Sequence, residues 1–436
     1  MTDFARSKSA AVQAQLDRLA KLSPGGDRLG LERISQLLER LERPQDRLPA
    51  VFHVAGTNGK GSTCAFLRSI LESAGRKVHM FTSPHLVRFN ERIRIAGNLI
   101  TDEELAKLLE EVLDSSDGIE PSFFEATTAA AFLAFTRHRA DACVIEVGLG
   151  GRLDATNVIE EPLVCSIAGI GVDHRQWLGT NSGDIAAEKA GIAKVGVPLV
   201  TQRYPPLVAQ RVHQAAEAVG APWIARGALW DSRLIRGSIR YRDRSGAMKL
   251  PMPRLPGRFQ ADNASLAVAM LRQQDRFAIP KDAFARGIES AEWPARLQKL
   301  EQGPLTKRLP KGSELWVDGG HNASAARQVA DHVRRCFEGG LPLVLLFASL
   351  SSKNPRSMLR PFRGLATQVH TLPIADHDDR SPDELAALAD EMGFEATANP
   401  SLDKALKLVK APARVLVFGS VYLAGEALKA NGEIPD

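Results

Sequence analysis

No run of about 18 apolar residues, the length that crosses a bilayer as a helix, occurs in this sequence, so no segment is expected to span a membrane. Cysteine is scarce. Cys64, Cys143, Cys165 and Cys336 form no C-x-x-C pair and each sits in or beside an apolar stretch, which predicts buried core thiols in a reducing compartment. The first twenty residues alternate charged and apolar positions at roughly helical spacing and lack an apolar core followed by a small-residue cleavage site. No secretion signal is expected, and the protein is expected in the cytoplasm. Blocks of one charge are not apparent either: the formal charge is +5 on 47.3 kDa, and Lys and Arg read as interleaved with Asp and Glu. That balance favours small anionic ligands over nucleic acid. Internal repeats and long low-complexity tracts are absent as well.

What is present is a chain of 436 residues, longer than one hydrophobic core usually supports. Its 44% hydrophobic and 25% charged content is that of a protein that buries a large core. Short apolar runs at 50–55, 77–81, 142–147, 163–168 and 197–201 alternate with helix-like segments and are bounded by Gly, Pro or Asp. Such alternation predicts βαβ units around a mainly parallel sheet. Residues 235–252 read as a small antiparallel excursion, residues 263–271 return to helical spacing, and residues 291–302, with Pro294, read as a crossing between domains. The alternation then restarts at 315–317, 343–347, 369–372 and 415–418. Ser381 and Glu384 have capping-box spacing around Pro382, and Gly393 is placed to end that helix. The expected architecture is α/β: an N-terminal P-loop ATPase domain over residues 1–296, with a mainly parallel sheet, and a smaller Rossmann-like α/β domain over 297–436.

The most specific local signal is Gly56-Thr57-Asn58-Gly59-Lys60-Gly61-Ser62-Thr63, directly after the first apolar run. Leu67, Ile70, Leu71 and Ala74 follow at i, i+3, i+4 and i+7, with Gly75 as a stop. A strand, a glycine-rich turn and a helix N-terminus gather backbone N–H groups and a favourable dipole at one point, which suits a triphosphate. Lys60 could reach the β- and γ-phosphates and the Ser62 hydroxyl could ligate Mg²⁺. The loop is a variant: Val54 stands where the usual pattern has its first glycine, and Gly61 separates Lys60 from the hydroxyl. Glu146 ends the apolar run 142–147, the position at which a doubly wound sheet presents ligand-binding residues, and a carboxylate there suits Mg²⁺.

With this loop in hand, the chain resembles the Mur ligase superfamily, and within it the folylpolyglutamate synthase and dihydrofolate synthase family. The likeness covers nearly the whole chain. It includes Thr82-Ser83-Pro84-His85-Leu86, Asn90-Glu91-Arg92-Ile93 and Phe124-Glu125-Ala126-Thr127-Thr128. The string from Glu146 to Asn157, Asp173-His174 and Glu188-Lys189-Ala190-Gly191-Ile192 continue it, as do Leu255-Pro256-Gly257-Arg258-Phe259-Gln260, Asp318-Gly319-Gly320-His321-Asn322 and Phe418-Gly419-Ser420. Departures are Gly320 and Ala323, where Ala and Pro are more usual, and Ala295, where Gly usually precedes Arg296.

The resemblance implies an ATP-dependent ligase that phosphorylates a folate carboxylate and lets the amino group of L-glutamate displace the phosphate. It implies two Mg²⁺ sites, with His174 and a carbamylated Lys189 serving the second. Asn263, Arg296, Asp318 and His321 would hold the nucleotide from both sides of a domain cleft, and Ser420, with His321, would bind glutamate. Ser83, His85, Arg92 and Arg94, with Phe123, Phe124 and Asp154, are the candidates for the pterin and benzoate region, where aromatic rings stack and cations attract carboxylate. The expected substrates are dihydropteroate and reduced folates, with a monomeric enzyme and no nucleic-acid or membrane partner. A folylpolyglutamate synthase without activity on dihydropteroate is the second enzyme reading. A nucleotide-binding regulatory protein is the non-enzyme one, disfavoured because a pure switch needs neither the second-metal candidates nor a second α/β domain.

Overall fold

The apolar runs of the first half become β1 (Ala50–Ala55), β2 (Val78–Phe81), β3 (Ile93–Ile95), β4 (Asn98–Leu99), β5 (Ala142–Glu146), β6 (Val164–Ile167), β7 (Leu199–Thr201) and β8 (Trp223–Ala225). The computed structural model describes residues 6–22, 29–337 and 340–436. Residues 1–5 of the N-terminal segment lie outside it, and a helix, Ala10–Leu22, follows. Among the described residues no helix is long and apolar enough to cross a membrane. The chain divides into one unit of Met1–Arg254, Gln260–Glu292 and Asp436, and another of Leu255–Phe259 and Trp293–Pro435, so that Arg296 belongs to the second.

In the first unit the strand order is β4-β3-β2-β5-β1-β6-β7-β8. Strands β2, β5, β1, β6, β7 and β8 run parallel, and β3 and β4 add antiparallel at one edge. Every residue of β2, β5 and β6 is buried, as expected for strands covered on both faces. Strand register aligns Phe81, Ile145, Ala55, Ile167 and Leu199 on one face and Met80, Val144, Phe52, Val164 and Val200 on the other, all of them buried. Strand β1 sits between β5 and β6, so its carboxyl end lies where connections leave to opposite sides of the sheet, the usual ligand crevice of such folds. The helix Lys60–Ser73 springs from that end and stops at Gly75, whose φ of 77° suits glycine.

The antiparallel excursion is a three-stranded sheet of β9 (Trp230–Ile235), β10 (Ser238–Asp243) and β11 (Gly246–Pro251). It begins five residues earlier than the polar alternation suggests, because Trp230 packs its ring on Tyr241, 5.9 Å away.

The second unit is a six-stranded sheet of β12 (Gln298–Lys299), β13 (Glu314–Val317), β14 (Leu343–Phe347), β15 (Ala366–Thr371), β16 (Glu395–Ala398) and β17 (Arg414–Phe418). Its order is β12-β13-β17-β14-β15-β16, parallel except for β12. Strands β12 and β16 are polar edge strands that no apolar run announces. Helix Pro382–Glu391 starts at Ser381 as expected, its hydroxyl accepting from Glu384 N–H. The reciprocal half of the capping box is replaced, because the Glu384 carboxylate pairs with Arg380 at 2.6 Å. One cysteine expectation fails. Cys64, Cys143 and Cys165 are buried, but Cys336, at the end of helix Ala323–Cys336, is exposed.

Ala295 occupies left-handed backbone, φ 53°, with its carbonyl accepting from Gly319 N–H at 2.9 Å. A β-carbon is strained there, and glycine relieves it at the expense of a more flexible unfolded chain. Ala295→Gly is expected to leave the stability of the protein unchanged or raise it by up to about 1 kcal/mol, read as a denaturation midpoint shifted upward or not at all.

Candidate active site

The turn after β1 is fastened from the side by the segment that follows β6. Thr57 and Asn58 N–H donate to Gly169 O at 2.8 and 3.1 Å, and Gly169 N–H returns to Asn58 O at 3.0 Å. The Thr57 hydroxyl donates to Gly171 O at 2.9 Å. Gly59 has φ 86°, and a Cβ added there would come within 2.5 Å of Asn263 Oδ1. The loop therefore closes against Asn263, on helix Arg258–Leu271, only because position 59 is glycine. Lys60, Gly61, Ser62 and Thr63 form the first helical turn, with Ser62 and Thr63 buried.

Charged groups converge on this turn. Glu146, the last residue of the adjacent β5, is 4% exposed. Its Oε1 stands 3.7 Å from Lys60 Nζ, and Ser83 N–H donates to its other oxygen at 3.4 Å. Lys189, on helix Ser182–Ala190, is 4% exposed and donates from Nζ to Gly56 O at 2.9 Å. Burial, and then the positive charge of Lys60, hold its amine down to about 7, against the pull of Asp173 and Asp154. Neither Glu146 nor Lys189 is a solvated side chain.

His174 begins a short helix with left-handed backbone, its N–H donating to Asp173 Oδ1 at 2.8 Å. Asp154 is buried and its oxygens accept from Leu149 N–H at 2.7 Å, Thr156 N–H at 3.0 Å and Thr156 Oγ1 at 2.5 Å. It holds the loop after β5 in shape, and burial pushes its carboxyl up. Among the described residues no three His, Cys, Asp or Glu side chains gather as a metal site. Mg²⁺ does not require such a cage, since it binds through one or two carboxylates together with water and phosphate. Glu146 and Ser62, both buried oxygen donors at the phosphate loop, fit that pattern.

The segment after β2 forms a second cluster. Arg92 is 1% exposed and donates from Nε to His85 Nδ1 at 3.0 Å, its guanidinium lying 5.3 Å from the Phe89 ring and 5.5 Å from the Phe123 ring. Phe124, expected in this group, points elsewhere, toward Phe81 and against Gly148, where an added Cβ would meet its ring. Phe123 is the ring beside Arg92. Ser83 precedes a cis bond to Pro84. Arg94, on β3, is turned to Gly97 O and the C-terminal residue Asp436.

Sequence reasoning passed over three polar groups here. Glu91 accepts from Leu86, Val87 and Arg88 N–H at 2.7, 2.9 and 2.7 Å and so shapes the turn that carries His85. Asp173 accepts from the backbone N–H of His174, and its negative charge favours the protonated form of Lys189. His53, in the middle of β1, binds Thr156 Oγ1 at 2.8 Å with Nε2, and its Nδ1 is buried without a hydrogen bond. A polar residue inside an apolar strand was the signal available for it.

Burial holds His53 down to about 3, from an ordinary 6.5. The neutral ring suits the fold at neutral pH. Below about 6.5 the unfolded chain takes up a proton that the folded chain refuses, so stability is lost as pH falls from there toward 3. The loss reaches roughly 4 kcal/mol at the acid end. His53→Gln, which keeps a donor toward Thr156, is expected to flatten that stretch of the stability-against-pH curve.

In the second unit, β13 and β17 are neighbours and end side by side, Asp318 N–H donating to Val417 O at 3.0 Å. Asp318 is buried, accepting from Leu297 N–H at 2.9 Å and Gly320 N–H at 2.8 Å. Burial pushes its carboxyl up and Arg296 opposes that. Arg296 donates to Ala295 O at 2.9 Å and lies so close to Gly319 that a Cβ there would meet its Nη1 at 2.8 Å. His321 Nδ1 lies 3.1 Å from Gly319 O. Ser420 caps helix Val421–Asn431, its hydroxyl accepting from Tyr422 N–H at 3.1 Å. Asp318, Arg296, His321 and Ser420 thus gather at the carboxyl ends of β13 and β17.

Comparison with models of known protein families gives no match. A Bacillus subtilis protein named dihydrofolate synthase/folylpolyglutamate synthase is 35% identical over 363 residues, 79% of this chain and 81% of its own. The chain belongs to the dihydrofolate synthase/folylpolyglutamate synthase family. Among solved structures, Escherichia coli FolC in complex with DHPP and ADP is similar with a TM-score of 0.86 at 29% identity, covering 98% of both chains. The bifunctional enzyme of Yersinia pestis complexed with AMPPNP and Mn ion gives 0.85 at 29% identity, covering 98% of this chain and 99% of that one. The α/β expectation holds for both halves of this family member, a phosphate-loop unit with a mainly parallel sheet and a smaller, mainly parallel α/β unit.

Proposed function

We propose that this protein is an ATP-dependent ligase that joins L-glutamate to dihydropteroate, forming dihydrofolate, and adds further glutamates to reduced folates. The observation that carries the proposal is the buried set at the carboxyl ends of β1 and β5: a helix-terminal loop with Lys60, Glu146 3.7 Å away, and Lys189 bound to the loop's own carbonyl.

A carboxylate is a poor electrophile, so the reaction begins by moving the γ-phosphoryl group of ATP onto a folate carboxylate oxygen. The α-amine of glutamate then attacks the acyl carbon, phosphate leaves with the bond electrons, and the amine loses a proton. The backbone N–H groups of Gly56 to Thr63 and the Lys60 ammonium bind and orient the phosphates. Glu146 and Ser62 would hold Mg²⁺, which when bound neutralises phosphate charge. His174 and a carbamylated Lys189 would serve a second ion. Asn263, Arg296 and Asp318 are assigned to the nucleotide, His85, Arg92 and Phe123 to the pterin and benzoate, and Ser420 with His321 to glutamate. A monomeric enzyme in the cytoplasm is the companion reading, its location supported by four free thiols that suit a reducing compartment.

Phosphate release from Mg-ATP with L-glutamate, with dihydropteroate, tetrahydrofolate or neither, tests the proposal. A one-glutamate gain in mass with both pterins is expected. Gain with tetrahydrofolate alone reduces the activity to polyglutamylation, and release that ignores both pterin and glutamate rejects the ligase.

A further inference from the structure

The interleaving of charge read from the sequence fails in one place. Residues 232–250 contain six basic side chains, Arg233, Arg236, Arg240, Arg242, Arg244 and Lys249, and one acidic, Asp243. Over the whole sheet, 230–251, Asp231 is the one further acidic residue, which leaves a surplus of four positive charges. The three-stranded sheet β9–β11 sorts the segment. Its inner face holds Ile239, Tyr241 and Leu250, all buried, and Asp243 is consumed there by a bidentate pair with Arg272 at 2.5 and 2.8 Å. Its outer face exposes Arg233, Arg240, Arg242 and Lys249.

Register makes the outer face unusual. Arg240 stands directly opposite Arg233 on one neighbour and opposite Lys249 on the other. Like charges facing each other across a ladder destabilise a sheet, so the row does not serve the fold. Asp231, the acidic residue of this face, stands opposite Arg242 in register but is already shared by Arg203 and Arg226 at 3.5 Å as well as Arg233 at 3.8 Å. Among the described residues none of Arg236, Arg240, Arg242, Arg244 and Lys249 forms an ion pair.

We propose that this outer face docks the anionic poly-γ-glutamyl tail of the protein's own folate substrates and products; the proposal rests on the polyglutamylating activity inferred above. Each γ-linked glutamate leaves one free α-carboxylate, and the guanidinium fork matches a carboxylate. A single-stranded nucleic acid fits less well, because such sites interleave cations with stacking rings and both aromatic residues of the sheet, Trp230 and Tyr241, are buried. Position supports the tail. Arg272, which clamps β10 through Asp243, closes the same helical run that begins at Arg258 and carries Asn263 against the phosphate loop. Nine residues of helix between Asn263 and Arg272 measure about 13 Å, so the sheet is held to the same helix that meets the phosphate loop.

Binding of a penta-γ-glutamate peptide to the full-length protein, by fluorescence anisotropy at low and high salt, is the direct test, beside KM for tetrahydrofolates bearing one and five glutamates. Reversing the row, as Arg233→Glu/Arg240→Glu/Lys249→Glu, is expected to weaken peptide binding and raise KM for the pentaglutamate by about tenfold, leaving the monoglutamate KM and kcat unaltered. The milder Arg233→Gln/Arg240→Gln/Lys249→Gln variant should give a smaller shift in the same direction, so a folding defect in the first cannot mimic the result. Equal peptide affinity in wild type and both variants overturns the proposal, as does loss of affinity confined to an RNA oligonucleotide or to anionic vesicles. Because the peptide assay needs no turnover, an inactive ligase would reject the proposed function without touching this result.

Discussion

Replacing Lys189 by alanine is expected to lower ligase turnover by about 10²- to 10³-fold while the protein stays folded. The argument begins with burial. An ammonium 4% exposed and near a second cation, Lys60, is costly, and the amine is held down to about 7. At neutral pH a substantial share is therefore the free amine, the form that adds CO₂. The amine nitrogen bonds to the carbon of CO₂ and releases a proton, giving a carbamate whose two oxygens replace one cation in the same buried space. Alanine removes both forms. Small carboxylates such as acetate or formate are expected to restore part of the Lys189→Ala activity, because they supply similar oxygens to the space left. Lys189→Arg, permanently charged and unable to form a carbamate, should remain inactive. Should Lys189→Arg keep more than about a tenth of wild-type turnover, or CO₂-free buffer leave the wild-type rate untouched, the carbamate is rejected and Lys189 acts only as a tether to Gly56.

Lys189 also shows where sequence reading stops. The strand, turn and helix around Lys60 are legible because each is fixed by neighbours in the chain: an apolar run, glycines where backbone must turn, and an apolar stripe that ends at Gly75. Nothing within helix Ser182–Ala190 distinguishes Lys189 from a surface lysine. Its burial comes from the loop after β5 and the carbonyl of Gly56, more than a hundred residues away. Family resemblance reached it where periodicity could not. Phe123 and Phe124 show the same limit, since adjacent helical positions point about 100° apart and only the packing shows which ring meets Arg92. The basic face of β9–β11 was missed for a related reason. Arg233, Arg240 and Lys249 are separated in sequence and become one row only through strand register.

A single methyl group at Gly151 is expected to cost about a hundredfold in kcat, through Lys189. Gly151 sits in the loop after β5 against the last turn of helix Ser182–Ala190, and a Cβ built on it lies 2.7 Å from both Glu188 O and Lys189 O and 3.0 Å from Lys189 Cα. These are backbone atoms, which no rotamer change can move aside. The helix turn must therefore shift, straining the bond beside it in which Arg152 N–H donates to the same Glu188 O at 2.9 Å. Overpacking of this kind costs about 1 to 3 kcal/mol of stability, tolerable for a large domain, while the displaced Lys189 loses its place beside Gly56 and Lys60. A double-mutant cycle separates this route from general loosening. If Gly151 acts by positioning Lys189, Gly151→Ala/Lys189→Ala turns over no more slowly than Lys189→Ala alone, and acetate restores Lys189→Ala better than the double variant. Additive losses in kcat, with equal rescue of both, would mean that the loop after β5 serves catalysis by another path, with Glu146 at its start the first residue to test.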